Sequence, residues 1–396
     1  MNIYYIDDKY PERRCVINRV NKYKYIPLVA AGKVDSIKAL FEKIQNIFAH
    51  RYSKSIGEKT LSCYWLMKRK GIVHTFNSCI SGANKWCATF ETIIPRTNYT
   101  RRNLMFHREA DNRTIKQFRL LADKKCLGCM ALSQATYNMQ MMALEKIAHR
   151  LTPKELEAIK NKTLVLHPPQ ELLISQEEVL SKFSDVNTLE MIFVGHDFFR
   201  KGGKELIDSL LQFKEKYSFH LTVVSALNYG DYASCATYEE MNKYRGILLN
   251  EKWITYYDNL PNEQVLELCR KAHVGFLPTF ADTYGYSVLE MQACGCAMMT
   301  TDIRALTEIN NEKCGWLCYL PQNEMKEALY HTEEERIKIK KVLYEQLIII
   351  VKEILETPTC DLMDKALNSL ARIKVCHDPM KYENELLKIM QSSYGE

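Results

Sequence analysis

Phe280-Ala281-Asp282-Thr283-Tyr284-Gly285-Tyr286-Ser287-Val288-Leu289-Glu290-Met291-Gln292-Ala293-Cys294-Gly295-Cys296 leads from an apolar run into a helix, and its reading decides the fold. Val274 to Leu277 ahead of it and Ala297 to Thr300 behind it are short apolar runs of strand character. Two strands joined through one helix require a crossover, and a crossover gives parallel pairing. Two carboxylates stand eight positions apart in this stretch. With a helix starting near Tyr286 or Ser287, Asp282 lies in the loop and Glu290 about one turn inside, so both can address one ligand. A carboxylate accepts hydrogen bonds from two neighbouring hydroxyls, which suits a ribose or hexose diol. Spacing alone fits a solvated Glu290 behind an acidic loop equally well.

Outward from this stretch, the same alternation continues. Met191 to Val194, His220 to Val224, Ile254 to Tyr257 and Gly315 to Tyr319 read as strands, with helices expected at about Lys204 to Tyr217, Glu263 to Lys271 and Ser287 to Cys294. After the first of these strands comes Val194-Gly195-His196-Asp197-Phe198-Phe199-Arg200-Lys201-Gly202-Gly203. Two adjacent cations and two glycines opening a helix suit a diphosphate: backbone approach, oriented N–H groups and full positive charge come together. The same pattern also serves as an ordinary strand-to-helix turn. No Gly-x-Gly-x-x-Gly fingerprint and no Walker sequence occurs, which argues against a dehydrogenase or a P-loop ATPase.

The first half alternates in the same way, with strands expected at Ile3 to Ile6, Gly71 to Phe76, Lys85 to Phe90, Cys126 to Leu132 and Thr163 to Leu166. His167-Pro168-Pro169 stops the last of them, and the polar, acidic stretch that follows reads as a linker over 171–187. Residues from about His331 onward are helical and charged, and Asp378-Pro379 interrupts them before a last amphipathic helix. The expectation is an α/β chain of two facing doubly wound domains, 1–170 and 188–375, with a cleft between them. A C-terminal helical segment at 376–396 would pack across the domain boundary. Ligands on such sheets bind beyond the carboxyl ends of the strands.

The chain has 396 residues, enough for two cores, and its 46% hydrophobic and 26% charged content is that of a globular protein. Its greasiest run, Leu347 to Val351, is five residues, far short of the roughly 18 to 20 a spanning helix needs. No secretory signal is visible at Met1 to Asp8, so a cytoplasmic location is expected. The 14 cysteines are scattered, several within strand-like runs such as Trp86-Cys87-Ala88, and read as buried free thiols. Cys126-x-x-Cys129 has metal-knuckle spacing but no second pair, so no metal is expected. The net charge of +6 hides an asymmetry: residues 1–170 carry 30 Lys and Arg against 13 Asp and Glu, and 171–396 carry 24 against 35. Such a split points the first half toward an anionic partner, with an uneven solvated surface as the plain alternative. Arg96, Arg101, Arg102, Arg108, Arg113, Lys116 and Arg119 crowd one stretch of it.

The segment from Asp282 to Glu290 resembles the acid-x7-acid motif of retaining glycosyltransferases of family 4, which have the two-domain GT-B fold built of Rossmann-like halves. The resemblance continues through Thr300-Thr301-Asp302-Ile303-Arg304-Ala305-Leu306-Thr307-Glu308-Ile309, with Thr307 where the family usually has proline. Asn259-Leu260-Pro261 and Ala272 to Pro278 also fit in order and spacing. It implies an acceptor-side domain at 1–170 and a nucleotide-sugar domain at 188–375. It makes Glu290 the ribose ligand, Lys201 the diphosphate ligand and Asp282 the contact to the donor sugar, with Arg200, His196, Gly285, Tyr286 and Ser287 lining the same site. Family members often have Glu at the position of Asp282 and Arg at that of His196, which shortens the sugar contact and shifts phosphate charge toward Arg200.

Two departures lie in the first half. Asp7-Asp8-Lys9-Tyr10-Pro11 stands where many relatives have a glycine-rich loop, and Glu91 where many have His. Glu91 could bind a sugar hydroxyl or stabilise positive charge at the anomeric carbon, or it could cap the turn near Pro95. His74, at a strand end, is a further candidate for acceptor contact or a hydrogen-bonded strand histidine.

The resemblance thus implies a retaining, metal-independent hexosyltransferase with no cofactor beyond its nucleotide diphosphate sugar. A saccharide or lipid-linked acceptor in cell-surface polysaccharide synthesis, such as lipopolysaccharide or capsule, is expected. The basic half adds peripheral contact with an anionic membrane at its inner face. Rival readings are a nucleotide-sugar epimerase or phosphorylase of the same fold and a non-catalytic sugar-nucleotide-binding partner protein. Nucleic acid is not expected, because no recognised motif accompanies the basic charge.

Overall fold

Runs of β-branched and aromatic residues form parallel strands, and crossover helices connect them. The structure is a computed structural model that describes residues 1–27, 60–62, 71–81, 83–97, 99–100, 109–230 and 232–392. The chain divides into two units, Met1–Pro169 together with Pro379–Glu396, and Gln170–Asp378.

The first unit contains β1 (Asn2–Tyr5), β2 (Lys24–Pro27), β3 (Thr60–Ser62), β4 (Ile72–Phe76), β5 (Cys79–Ser81), β6 (Trp86–Phe90), β7 (Cys126–Ala131) and β8 (Thr163–Val165). Six of these form one sheet in the order β2-β1-β4-β6-β7-β8, and β3 pairs separately with β5. Every residue of β4 and β6 is buried, as central strands covered on both faces must be. One face is closed by the helix Pro379–Gln391, whose Tyr382, Leu386, Ile389 and Met390 recur at i, i+4, i+7 and i+8 and pack on Ile3, Ile72, Cys87 and Met130. Tyr382 Oη donates to the Cys15 carbonyl at 2.6 Å.

The second unit contains β9 (Leu189–Val194), β10 (Phe219–Val224), β11 (Ile254–Tyr257), β12 (Val274–Leu277), β13 (Ala297–Thr301) and β14 (Gly315–Cys318), in the order β11-β10-β9-β12-β13-β14. All neighbours are parallel. The order runs outward in one direction from β9 to β11 and in the other from β12 to β14. The reversal between β9 and β12 is the point where such sheets open a crevice.

Three local readings change. The helix expected over Lys204 to Tyr217 is regular only over Gly203–Leu210. Beyond it, Gln212, Phe213 and Lys216 donate to carbonyls three residues back, which tightens the chain into turns. Within the span 171–187 a helix forms at Gln176–Lys182, started by a reciprocal Ser175–Glu178 capping box. It is pinned at its end by Lys182 Nζ, which donates to the carbonyls of Ala272, Cys294 and Gly295. His74 is not at a strand end. It is the third of five residues in β4 and 0% exposed, with Nε2 2.9 Å from Thr89 Oγ1. Burial lowers its pKa to about 3, so a neutral imidazole inside the sheet replaces the expected acceptor contact.

Cys126 opens β7 and Cys129 lies within it, both buried and free, with sulfurs 3.7 Å apart. Among the described residues no group of three or more His, Cys, Asp or Glu is placed to hold a metal ion, and no helix is long and apolar enough to cross a membrane.

Candidate active site

The loop after β9 and the loop after β12 are laced together. Phe280 N–H donates to the Arg200 carbonyl at 3.0 Å, and Arg200 Nη1 donates to the Ala281 carbonyl at 2.5 Å. This close approach requires Gly202: its φ is +78°, and a Cβ there would lie 2.0 Å from the Pro278 carbonyl oxygen. The glycines therefore join two loops. They do not present open amides, because the N–H groups of Gly202 and Gly203 are taken by the carbonyls of Phe199 and Phe198.

The lacing sets the charged side chains. Arg200 Nε donates to Asp197 Oδ2 at 2.9 Å. Lys201, 8% exposed, forms an ion pair with Asp282 Oδ2, while Asp282 Oδ1 accepts from the Thr283 N–H at 2.8 Å. Both carboxylate oxygens are thus occupied and the side chain is fixed. Burial opposes ionisation of Asp282, but the charge and hydrogen bond of Lys201, with Arg200 behind them, hold its carboxyl below the usual range. Burial likewise draws the Lys201 ammonium below its ordinary value, against the pull of Asp282. An ammonium has three N–H donors, so the bond to Asp282 leaves two for a ligand.

These residues border a cavity of about 200 Å³ beyond the carboxyl ends of the strands, at the reversal between β9 and β12. Its wall includes Arg200, Lys201, Asp282 and Thr283 together with Tyr232, Arg304, Glu327 and Tyr330, the Arg200 guanidinium lying 5.8 Å from the centre of the Tyr232 ring. The second group was not singled out in the sequence. Arg304 lies inside the stretch from Thr300 to Ile309, but Glu327 and the two tyrosines come from other loops, with no spacing to announce them.

The remaining expected residues lie outside the cavity wall. His196 is exposed. Gly285, with φ +94°, caps the helix Tyr286–Ala293, and Tyr286 and Ser287 are half-buried in its first turn. Glu290 is 6% exposed one turn further on. Its charge reaches the Cys269 thiol, which a hydrogen bond with Cys294, burial, nearby thiols and Glu290 together push up.

In the first unit, Glu91 directly follows β6. Its Oε1 accepts from Asn77 Nδ2 at 2.9 Å and lies 3.4 Å from Arg96 Nη1, while the Asn77 side-chain oxygen accepts from the Glu91 N–H at 3.0 Å. The bridge ties the ends of β4 and β6. Arg113, Lys116 and Arg119 are exposed on one helix, Arg119 beside Glu155 at 3.1 Å. Arg101, Arg102 and Arg108 lie outside the described residues.

Residues 176–346 match the family model described as "Glycosyl transferases group 1", so the second unit carries a domain of that group. No curated protein matches the chain by sequence. Solved structures similar to it include a glycosyltransferase from Rickettsia africae, at 12% identity and TM-score 0.57, covering 100% of this chain and 99% of that one. HepE from Anabaena, solved with UDP and glucose, aligns at 11% identity and TM-score 0.56 over 99% and 100% of the two chains. WaaG, a glycosyltransferase involved in lipopolysaccharide biosynthesis, aligns at 14% and 0.55 over 99% and 100%. At these identities the likeness is one of fold: the chain is a two-domain α/β protein of GT-B type with a C-terminal helical segment.

Proposed function

We propose that the chain is a retaining hexosyltransferase of the family 4 type that moves a hexose from a nucleotide diphosphate sugar to a saccharide or lipid-linked acceptor. The observation that carries this reading is the Lys201–Asp282 pair beside Arg200, bordering a cavity at the strand reversal of a glycosyltransferase group 1 domain.

Breaking the bond between the anomeric carbon and the diphosphate leaves negative charge on the leaving group. Lys201, with two donors to spare, and Arg200 stabilise that charge from a site already closed to water on one side, without a metal ion. Asp282 exchanges its hold on Lys201 for the sugar hydroxyls as the phosphate takes the ammonium. Glu290 holds the ribose and Glu91 serves the acceptor side. The excess of basic residues in 1–170, with Arg113 and Lys116 on an exposed face, favours peripheral contact with an anionic membrane. A surface-polysaccharide acceptor, as in the lipopolysaccharide biosynthesis in which WaaG takes part, fits that placement.

Thermal unfolding with UDP, GDP and ADP and their hexose esters tests the reading: one base series protects, and the matching ester is consumed when a saccharide acceptor is added. Conversion of the donor without acceptor indicates an epimerase. Protection without turnover over a broad acceptor panel indicates a binding protein.

A further inference from the structure

The Arg200 guanidinium has one neighbour that is not a hydrogen-bond acceptor. Its Nε donates to Asp197 and its Nη1 to the Ala281 carbonyl, which leaves three of the five N–H donors of an arginine. The Tyr232 ring, from the loop after β10, lies against the guanidinium with 5.8 Å between its centre and the central carbon. That distance is within reach of a cation–π attraction. Tyr330 meets the Tyr232 ring edge to face, with centroids 5.9 Å apart, and supports it from behind.

The loop is built to put Tyr232 there. Gly230 and Ala236 pair as an antiparallel bridge, the Gly230 N–H donating to the Ala236 carbonyl at 3.1 Å. Between them Ala233 and Cys235 take φ of +56° and +47°, a region that residues with a Cβ seldom adopt. Ala233 and Ser234 are buried, whereas Tyr232 is 59% exposed. An aromatic ring held largely outside the core gains little from burial, and backbone strain of this kind is kept where it places a group at a site. Asn228 Nδ2 donates to the His196 carbonyl at 3.2 Å and so ties this loop to the one that carries Arg200.

A second carboxylate in the place of the ring would hold Arg200 as firmly, but it would cancel charge that a diphosphate needs, and Asp197 already takes a share. A ring attracts the cation through its quadrupole and carries no net charge, so the remaining donors keep their field toward the cavity. We propose that Tyr232 is a positioning residue for Arg200: its ring holds the guanidinium where the diphosphate is bound, and it acts on the ligand through that arginine. This rests on the nucleotide-sugar reading above.

Isothermal titration of the full chain tests it, with UDP, GDP or ADP according to which the wild type binds. Tyr232→Leu, which keeps bulk and removes the ring, weakens binding by about fivefold. Tyr232→Phe, which keeps the ring and removes the hydroxyl, stays within about twofold of the wild type. A double-mutant cycle separates positioning from direct contact. In an Arg200→Gln background, where Lys201 still binds, adding Tyr232→Leu brings no further loss. Wild-type affinity in Tyr232→Leu, a loss in Tyr232→Phe equal to that in Tyr232→Leu, or a second loss of about fivefold in the Arg200→Gln background overturns the inference and leaves the diphosphate site standing. Failure of the wild type to bind any of these diphosphates overturns both.

Discussion

The sheet of the first unit and that of the second are built alike, six parallel strands wound outward from a reversal, between β1 and β4 in one and between β9 and β12 in the other. Their loops differ. At the second reversal, glycine-assisted contact brings Arg200 and Lys201 against Asp282 around a cavity. At the first, β1 runs into Asp7, Asp8 and Lys9, with Asp8 held by Arg13 at 2.6 Å, and β4 runs into Asn77, which is bound to Glu91. Sheet topology locates a crevice, but the side chains in the loops decide whether it can hold an anion. The first unit offers acids already paired with neighbours, and the second offers cations with donors to spare.

The largest effect expected from this difference is on transfer. Lys201→Ala lowers turnover by about 10²- to 10³-fold, as loss of a preorganised donor to a developing anion does. Replacing Lys9 in the other reversal loop changes it little. Steady-state rates with the preferred donor compare the two, and equal losses would erase the distinction between the loops.

Next comes pH, which separates the units by sign. His74 in β4 has its pKa lowered to about 3 by burial, so from about pH 6.5 downward the unfolded chain takes a proton the folded one refuses. Its stabilising contribution is present above that range and is lost as pH falls. Glu205, buried in the first turn of the helix Gly203–Leu210, is raised to about 7 by burial, so between about pH 4.5 and 7 the folded chain holds the extra proton. Its contribution is present in acid and is lost as pH rises. Integrated over its full range each effect is on the order of 3 to 5 kcal/mol. Urea unfolding across this range shows the first slope flattened by His74→Gln and the second by Glu205→Gln. The same residual slope in both variants would contradict the assignment.

Smaller effects follow. Glu290→Ala weakens nucleotide binding by about tenfold, on the order of 1.4 kcal/mol, with little change in the affinity of inorganic diphosphate. A titration with the two ligands separates ribose from phosphate contact. Smallest is the membrane term: Arg113→Glu and Lys116→Glu each weaken sedimentation with anionic vesicles by about 1 kcal/mol, and salt does the same. Binding that is equal on neutral vesicles would remove the charge argument.

The contrast also governs what could be read in advance. All six strands of the second sheet stand within two residues of their apolar runs: the central strands β9, β12 and β13 are buried along nearly their whole length, and the edge strand β11, with only Ile254 buried, is still β-branched and aromatic throughout. β2, Lys24-Tyr25-Ile26-Pro27, was missed: an edge strand with exposed ends carries no such run. Arg200, Lys201 and Asp282 were legible because each sits in a contiguous strand-loop-helix motif. Arg304 and Glu327 were not, since their meeting depends on how two separate loops fold and 23 positions of sequence carry no period for it. His74 was misplaced although the expected strand, Gly71 to Phe76, already ran two residues beyond it: it is the third of five residues in β4 and fully buried, a core residue and not a rim one.

Hydrogen exchange on the intact chain, with and without a saturating nucleoside diphosphate hexose, tests the central claim most directly. Protection concentrated in 195–203 and 280–290 is the expected result. Protection centred on the loop after β1, or none in either segment of the second unit despite bound ligand, would contradict it.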